Sequence, residues 1–203
     1  MAGEHAHPNQ DAHTRGRLAG RQDPFTIFFG CADSRVAAEI IFDQGLGDLF
    51  VVRTAGHVVD PSVLGSLEFG VGVLGCPLIV VLGHDSCGAV KAAADAMRTG
   101  EVPGGYLRDI VERVTPSVLL ASRGGVEPST EDIERTHVEH TCTLIAQRST
   151  LIHERVRDGR LAIVGAAYDL ADGEVRVLSV VGSAGIDHTG HQQADHAGAE
   201  PLP

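Results

Sequence analysis

Four short runs of apolar, strand-forming residues, separated by segments with helical spacing, limit what this chain can fold into. The runs are FTIFFG (25–30), DLFVVRT (48–54), LIVVLG (78–83) and LAIVGAAYDL (161–170). Strands that are apolar throughout must be covered on both faces, so this order predicts a parallel β-sheet core flanked by helices. The Asp172-Gly173 turn and EVRVLSVV (174–181) predict one antiparallel strand at the edge of that sheet. The predicted fold class is therefore α/β.

The segments between the strands carry helix signals. Asp60 is an N-cap residue and predicts a helix over 61–75. Ser129 and Asp132 form a capping pair that predicts one long helix over about 130–157. Further helices are predicted over 36–45, from Ser86 to about Met97, and from Tyr106 onward with a bend or break near Pro116.

The chain has 203 residues, which suits a single domain, and we predict that this domain spans 22–183. Residues 1–21 are polar and lack apolar helical periodicity, so they predict a flexible N-terminal arm. Residues 184–203 are rich in His, Asp, Ala and Gly and predict a disordered tail.

Charge and composition exclude several classes of partner. The formal net charge of −11 argues against nucleic acid or an anionic membrane as the main partner. No apolar stretch approaches the roughly 18 residues of a membrane helix, and the N-terminus has no apolar signal region. A chain of this kind is expected in the cytoplasm, where its four cysteines stay reduced and serve packing, metal binding or catalysis.

Three of the residues that follow the first and third strands are typical metal ligands. Cys31 ends the first strand, and His84 and Cys87 follow the third in an H-x-x-C arrangement. Neighbouring parallel strands bring their carboxyl ends to one edge, where sites form. Two thiolates and an imidazole favour tetrahedral Zn²⁺ with one open position. The alternatives are that the cysteines are small buried packing residues, or that they form a redox pair, although no C-x-x-C occurs.

An acidic and a basic residue follow Cys31 closely. Asp33 and Arg35 flank Ser34 on the turn that leaves the first strand, and an Arg can hold a carboxylate through a bidentate pair. Beside a zinc ion, such a carboxylate either orients a bound hydroxide or becomes the fourth ligand. The alternative is a loop salt bridge of little energetic value.

Together, CADSRV (31–36) and GHDSCGAV (83–90) resemble the paired signature of the β-class carbonic anhydrases, Cys-x-Asp-x-Arg followed by His-x-x-Cys. The resemblance runs from about Gln22 to Tyr168, includes DLFVVRTAG, GSLEFGVGVLG and LIVVLGH, and is that of an actinobacterial-type member. It implies a parallel sheet with one antiparallel edge strand, and a homodimer or homotetramer.

The same resemblance implies roles for individual residues. Cys31, His84 and Cys87 match the zinc ligands, and Asp33 and Arg35 match the catalytic dyad, with Asp33 as fourth ligand in the family's closed state. The implied reaction is the reversible hydration of carbon dioxide to bicarbonate and a proton. A zinc-bound hydroxide attacks CO₂ and is oriented by the dyad.

Four further residues are implied to contact the substrate. Gln22 matches a family glutamine that donates a hydrogen bond to bicarbonate or CO₂. Phe50 and Phe69 fall at positions that line the apolar pocket near the dimer seam, and Gly88 follows the last ligand.

The chain also departs from the family. Members usually begin with helices that embrace the partner subunit, and no such helix is predicted here. Members with a regulatory bicarbonate pocket build it from Trp, Arg and Tyr, whereas this chain keeps only Arg53. His57 is interpreted as a hydrogen-bonded histidine, and His137 and His140 as solvated helix surface.

Three other functions are compatible with parts of the pattern. Related zinc proteins hydrolyse carbonyl sulfide or carbon disulfide, and pocket size would discriminate them from a CO₂ hydratase. A non-catalytic zinc or bicarbonate sensor should have lost the Asp-Arg dyad, which is present. A redox thiol protein should carry C-x-x-C, which is absent.

Overall fold

The computed structural model describes residues 4–125 and 127–183, so the predicted tail 184–203 lies outside the described residues. The described residues form a single five-stranded sheet. Its strands are β1 (Thr26–Cys31), β2 (Leu49–Thr54), β3 (Leu78–His84), β4 (Leu161–Tyr168) and β5 (Val175–Ser183). The strand order is β2-β1-β3-β4-β5, with parallel pairing except between β4 and β5. The predicted fold class, including the antiparallel edge strand, is confirmed.

Seven α-helices connect or flank these strands in the described part of the chain. They are α1 (Ala12–Leu18), α2 (Ala38–Ile41), α3 (Pro61–Gly72), α4 (Gly88–Thr99), α5 (Leu107–Ala121), α6 (Thr130–Arg148) and α7 (Thr150–Arg157). The helix α5 continues through Pro116, so the predicted break there was wrong, whereas the predicted bend stays a prediction. None of these helices is both long and apolar enough to cross a membrane.

Side-chain caps set the ends of two helices as predicted. The carboxylate of Asp60 accepts a hydrogen bond from the backbone N–H of Val63 at 2.8 Å and starts α3. Ser129 and Asp132 form a reciprocal capping box at the start of α6. These caps depend only on residues three positions apart, which explains why the sequence reveals them.

The prediction of one helix over 130–157 was wrong, because Ser149 divides it into α6 and α7. Ser149 has an extended backbone, and its hydroxyl accepts a hydrogen bond from the N–H of Ile152, which caps α7. The same hydroxyl donates to Glu68 on α3 at 2.6 Å. A partly buried tertiary hydrogen bond therefore stabilises a break that the continuous helical pattern of the sequence does not reveal.

The N-terminal segment contains a helix that its composition does not predict. Asp11 caps α1 by accepting a hydrogen bond from the N–H of Thr14 at 2.7 Å. The segment also contacts the domain, because the backbone N–H groups of Ala6 and His7 donate to the carboxylate of Asp43. The expectation of a segment without helical structure was therefore wrong for Ala12–Leu18, whereas the domain boundaries at 22 and 183 stay a prediction.

Two apolar layers cover the sheet. The helices α3, α6 and α7 cover one face, and the segment around α2 covers the other. The helix α6 lies unusually close to the sheet, because a Cβ atom at Gly83 on β3 or at Gly165 on β4 would collide with Val138. This contact places the first half of α6 directly behind the carboxyl ends of the central strands.

Candidate metal centre

The structure brings Cys31, His84 and Cys87 together in one buried cluster. The sulfur atoms and one imidazole nitrogen all lie within 4.8 Å of one another. Cys31 is the last residue of β1 and His84 the last residue of β3. These strands are parallel neighbours in the sheet, so their carboxyl ends meet at one edge.

Cys87 reaches the cluster through a tight turn after β3. Ser86 adopts a left-handed backbone conformation, with φ of 56°, which reverses the chain and brings Cys87 back over His84. We predicted Cys87 in the first turn of a helix that starts near Ser86. In the structure Cys87 is instead the N-cap, and α4 begins at Gly88. The thiol still lies beside the positive end of the helix.

The orientation of His84 is fixed by the backbone. Its Nδ1 lies 2.8 Å from the carbonyl oxygen of Asp85, and a carbonyl only accepts, so Nδ1 carries the proton. Nε2 then has a lone pair, is buried, and has no hydrogen-bond partner among the described residues. An unpartnered imidazole lone pair beside two thiols is the donor set that Zn²⁺ prefers, so these residues fit a zinc ion.

The two thiols differ in acidity because each affects the other. The neighbouring Cys87 thiol has the largest effect in lowering the pKa of Cys31, and His84 and a hydrogen bond from the Gly56 N–H at 3.3 Å add to it. The same contact and burial raise the pKa of Cys87.

Asp33 and Arg35 form the predicted bidentate pair at the solvent side of the cluster. The guanidinium donates from Nε to Oδ1 at 3.0 Å and from Nη2 to Oδ2 at 2.7 Å, and the Arg35 N–H donates to Oδ1 at 2.9 Å. These bonds hold the pKa of the Asp33 carboxyl well below its usual range. Asp33 Oδ2 lies 3.9 Å from His84 Nε2, which places the carboxylate beside the cluster rather than in a remote loop.

Arg53 supports the turn that carries this pair. Its guanidinium donates to the carbonyl oxygens of Cys31 at 2.8 Å and of Asp33 at 2.6 Å. Arg53 lies on β2, next to β1 in the sheet, and its side chain therefore fixes the backbone of the first motif from the side.

The structure does not bring Gln22, Phe50 and Phe69 to the cluster of the same chain. Gln22 is exposed and precedes β1, so it lies at the opposite end of that strand from Cys31. The rings of Phe50 and Phe69 stack with centroids 6.0 Å apart, and Phe50 pairs with Ile27 in the first half of β1.

The position of Gly88 differs from that of these three residues. It follows Cys87 directly and is exposed, and a Cβ atom there would meet nothing within 4 Å. Gly88 therefore lies at the cluster on an open side.

Sequence reasoning missed two buried residues of α6, Glu134 and His137. Glu134 is 8% exposed, and burial raises the pKa of its carboxyl. The interpretation of His137 as solvated helix surface was wrong, because α6 packs against the sheet and buries this residue. The only signal is their three-residue spacing, which places both on the inner face of α6.

The interpretation of His57 as a hydrogen-bonded histidine was also wrong. His57 is buried against Phe29 and His137, and neither ring nitrogen has a hydrogen-bond partner in the part of the chain that the structure describes. Burial lowers its pKa well below the ordinary value, so the ring is neutral.

Comparison with known proteins gives a consistent result. A family model described as carbonic anhydrase matches residues 26–175. Carbonic anhydrase 2 of Mycobacterium tuberculosis (strain CDC 1551 / Oshkosh) is 56% identical over 185 residues, which cover 91% of this chain and 89% of the relative.

Solved structures agree with the sequence comparison. A Coccomyxa β-carbonic anhydrase in complex with acetazolamide matches with a TM-score of 0.71 at 25% identity, covering 83% of this chain and 78% of that chain. Structures of two tetrameric β-carbonic anhydrases from Sordaria macrospora include a chain that matches with a TM-score of 0.71 at 25% identity, covering 82% and 86%.

Proposed function

The chain belongs to the β-carbonic anhydrase family as an actinobacterial-type member, and on this premise we propose that it catalyses the zinc-dependent, reversible hydration of carbon dioxide to bicarbonate and a proton. The observation that carries the proposal is the buried Cys31, His84 and Cys87 cluster, with its unpartnered imidazole nitrogen beside the carboxylate of Asp33. We propose these three residues as the zinc ligands.

The protein residues then divide the work with the metal. Zinc held by these three ligands would supply the Lewis acidity that makes hydroxide available as a nucleophile near neutral pH. Asp33 would accept a hydrogen bond from the O–H of that nucleophile and so direct its lone pair at the carbon of CO₂. Because the pKa of Asp33 is low, the carboxylate remains an acceptor throughout the working pH range.

Arg35 positions Asp33 and also opposes closure of the site. If Asp33 became the fourth ligand, its carboxylate would have to leave at least part of the three hydrogen bonds that Arg35 donates. Removing charge-assisted bonds of this kind costs more than removing neutral ones. We therefore propose that Arg35 keeps the Asp33 carboxylate away from the metal, so that it stays available as a hydrogen-bond acceptor.

We propose that Gln22, Phe50 and Phe69 act on the cluster of a partner subunit in a homodimer or homotetramer. Within one chain Gln22 lies beyond the start of β1, whereas the cluster lies at its end. Phe69 is 43% exposed although it stacks on Phe50, which leaves an apolar surface for a second chain. Gly88 leaves open space for substrate at the chain's own cluster.

We propose a cytoplasmic location, because two of the proposed ligands are thiolates. A reducing compartment keeps Cys31 and Cys87 from forming a disulfide, and all four cysteines are free in the structure. Fractionation of cells that express the tagged protein tests this proposal, and recovery from an oxidising compartment would contradict it.

Stopped-flow measurement of CO₂ hydration, with the zinc content of the same sample, tests the function. We expect hydration that is lost on chelation and restored by zinc. In Asp33→Asn the rate should fall by about 100- to 10,000-fold while zinc stays bound. Asp23→Asn, at an exposed Asp that pairs with Arg21, is the matched control and should hydrate CO₂ as the parent does. Stoichiometric zinc without hydration at any pH would overturn the proposal.

A further inference from the structure

Two buried side chains of α6 reach the two cysteine ligands from behind through backbone groups. Glu134 Oε1 accepts a hydrogen bond from the backbone N–H of Cys87 at 3.0 Å. His137 Nε2 lies 2.8 Å from the carbonyl oxygen of Gly56, and the N–H of Gly56 donates to Cys31 Sγ at 3.3 Å. One helical turn separates Glu134 from His137, so one helix face contacts both arms of the cluster.

The proton positions along this contact follow from the partners. A carbonyl only accepts, so His137 donates from Nε2 to Gly56 and its Nδ1 is a lone pair. Ser117 lies 2.8 Å from that Nδ1 and must donate its hydroxyl proton there. The Ser117 oxygen then accepts from His140 Nδ1 at 3.0 Å. The chain of hydrogen bonds thus has one direction and selects one tautomer of His137.

His137 stays neutral in this arrangement. Burial lowers its pKa to about 4, so near neutral pH the ring holds one proton only. A neutral ring with Nδ1 occupied by Ser117 has its single N–H at Nε2, where it bonds Gly56. The donor that Gly56 needs is therefore present over the whole neutral range.

Gly56 is the element that transmits this contact to Cys31. Its φ of 63° lies in the left-handed region, and a Cβ atom would come within 2.6 Å of the Ala89 Cβ, so only glycine fits. Glycine has more accessible backbone conformations than any other residue, so another contact must fix the conformation of Gly56. The bond from His137 to its carbonyl restricts it and keeps the N–H directed at the sulfur.

Glu134 acts on the other cysteine in a comparable way. Cys87 is the N-cap of α4, and its own N–H lies outside the helical hydrogen bonds. The buried carboxylate of Glu134 accepts that N–H and fixes the backbone from which the thiol projects. Because Val138 docks against Gly83 on β3, the position of α6 relative to the cluster is set by close packing.

We propose that Glu134 and His137 are positioning residues that preorganise Cys87 and Cys31 for the metal, with Ser117 and His140 selecting the tautomer of His137. The proposal rests on the zinc site of the proposed function. Partners of this kind typically contribute 10- to 100-fold to metal affinity, because without them the ligands must be ordered by the metal itself.

Competition of the purified protein with a zinc chelator tests the proposal. Glu134→Leu and His137→Leu should each weaken zinc binding by about 10- to 100-fold. Glu134→Gln keeps an acceptor oxygen and His137→Gln keeps an N–H donor, so these should bind zinc within about threefold of the parent. The exposed Glu139→Leu and His153→Leu are matched controls on α6 and α7 and should not change the affinity.

Substitution of Co²⁺ separates the two arms by a spectroscopic signature. Without His137, the N–H of Gly56 is no longer held towards Cys31 Sγ. A thiolate that loses such a donor has electrons of higher energy, so His137→Leu should shift the thiolate-to-Co²⁺ absorption band to longer wavelength. Glu134→Leu should not produce this shift, because Glu134 bonds the backbone of Cys87 and not its sulfur. A general loss of structure would not distinguish the two variants in this way.

If a Leu variant does not fold, Ser117→Ala carries the test, because it leaves His137 in place but removes the hydrogen bond that holds its Nδ1 side. It should weaken zinc binding by about tenfold, with the same direction of the Co²⁺ band shift. Parent-like zinc affinity in the Leu variants or in Ser117→Ala would overturn the inference, as would Gln variants as weak as the Leu variants. Zinc binding without CO₂ hydration would overturn the proposed function and leave this inference standing.

Discussion

The two sides of the metal centre are held by different means. On the solvent side, Asp33 and Arg35 are two residues apart and form an ion pair in which the Arg35 side chain is 53% exposed. On the inner side, Glu134 contacts Cys87 across 47 positions and His137 contacts Gly56 across 81, both buried. The proposed reacting groups therefore come from a local motif, whereas the geometry of the proposed ligands depends on distant elements.

The two sides should differ in how much they contribute to the free energy of unfolding. An exposed ion pair contributes little to folding because water and salt screen it, so Arg35 can orient Asp33 without stabilising the protein. A buried polar group that loses its partner costs the full desolvation penalty, about 1–3 kcal/mol. The inner side should therefore respond to mutation in stability and metal affinity, and the solvent side in rate alone.

The largest expected effect comes from His84, where the two sides meet. His84→Ala removes the one unpartnered imidazole nitrogen of the cluster, so zinc content should fall and CO₂ hydration should drop by more than about 100-fold. Metal analysis and stopped-flow kinetics check this. His153→Ala, at an exposed position, is the control. Full zinc occupancy in His84→Ala would contradict the assignment of the cluster.

A pH effect on stability should distinguish the inner side next. The pKa of His137 is lowered from 6.5 to about 4 in the folded protein, so between these values the unfolded chain binds a proton that the folded protein does not. Stability from this group is thus present above 6.5 and falls as pH decreases towards 4.

From about pH 7 to about pH 5, the parent should lose about 2 kcal/mol more stability than His137→Gln, which keeps the donor but does not titrate. Urea unfolding at both pH values measures this difference. His153→Gln is the control and should keep the parent slope. An equal slope for His137→Gln and the parent would show that His137 is protonated in the folded state.

Close packing of α6 predicts an effect on stability of comparable size. Gly83→Ala would force its Cβ into Val138 and displace α6 from β3, with an expected loss of about 1–3 kcal/mol. Chemical denaturation measures this loss. Gly65→Ala, inside α3 with nothing within 4 Å of the added Cβ, should be neutral or stabilise by up to about 1 kcal/mol. Equal stability of the two variants would contradict the close docking of α6.

The smallest expected change in stability concerns the solvent side. Arg35→Ala removes an exposed partner of Asp33, so the free energy of unfolding should change by less than about 1 kcal/mol. The hydration rate should still fall by about tenfold, because Asp33 loses its fixed orientation. Lower zinc affinity, with an unchanged rate in zinc-loaded protein, would show that the two sides are not separate.

Structural features that depend on residues close together in the sequence could be predicted from it. The alternation of apolar strands with helices gave the parallel sheet and its antiparallel edge, and the caps at Asp60 and Ser129 are observed. The positions of Cys31, His84 and Cys87 at the ends of the first and third strands predicted that they meet at one edge of the sheet, and the structure clusters them there. Strand pairing and capping follow from patterns over a few residues, so periodicity and spacing are sufficient evidence for them.

Features that depend on distant contacts were not predictable in the same way. The sequence pattern predicts Ser149 in the middle of a helix, yet its hydrogen bond to Glu68 stabilises a break there. His137 reads as exposed helix surface, because a polar residue carries no sign of burial until its partners are known. Gln22 matches a substrate contact by resemblance to the family, but only the direction of β1 shows that it lies at the opposite end of this strand from the cluster of its own chain.

The sequence by itself determined the sheet, the three candidate ligands and the Asp33–Arg35 pair, since each follows from short motifs, the strand pattern and the chemistry of the side chains. Only the tertiary structure decided which groups stand behind the ligands. Glu134 and His137 act through backbone groups of Cys87 and Gly56, and a backbone N–H or C=O is the same in every residue. A contact with a backbone group therefore leaves no mark in the sequence, and only the folded structure shows which backbone group the side chain meets.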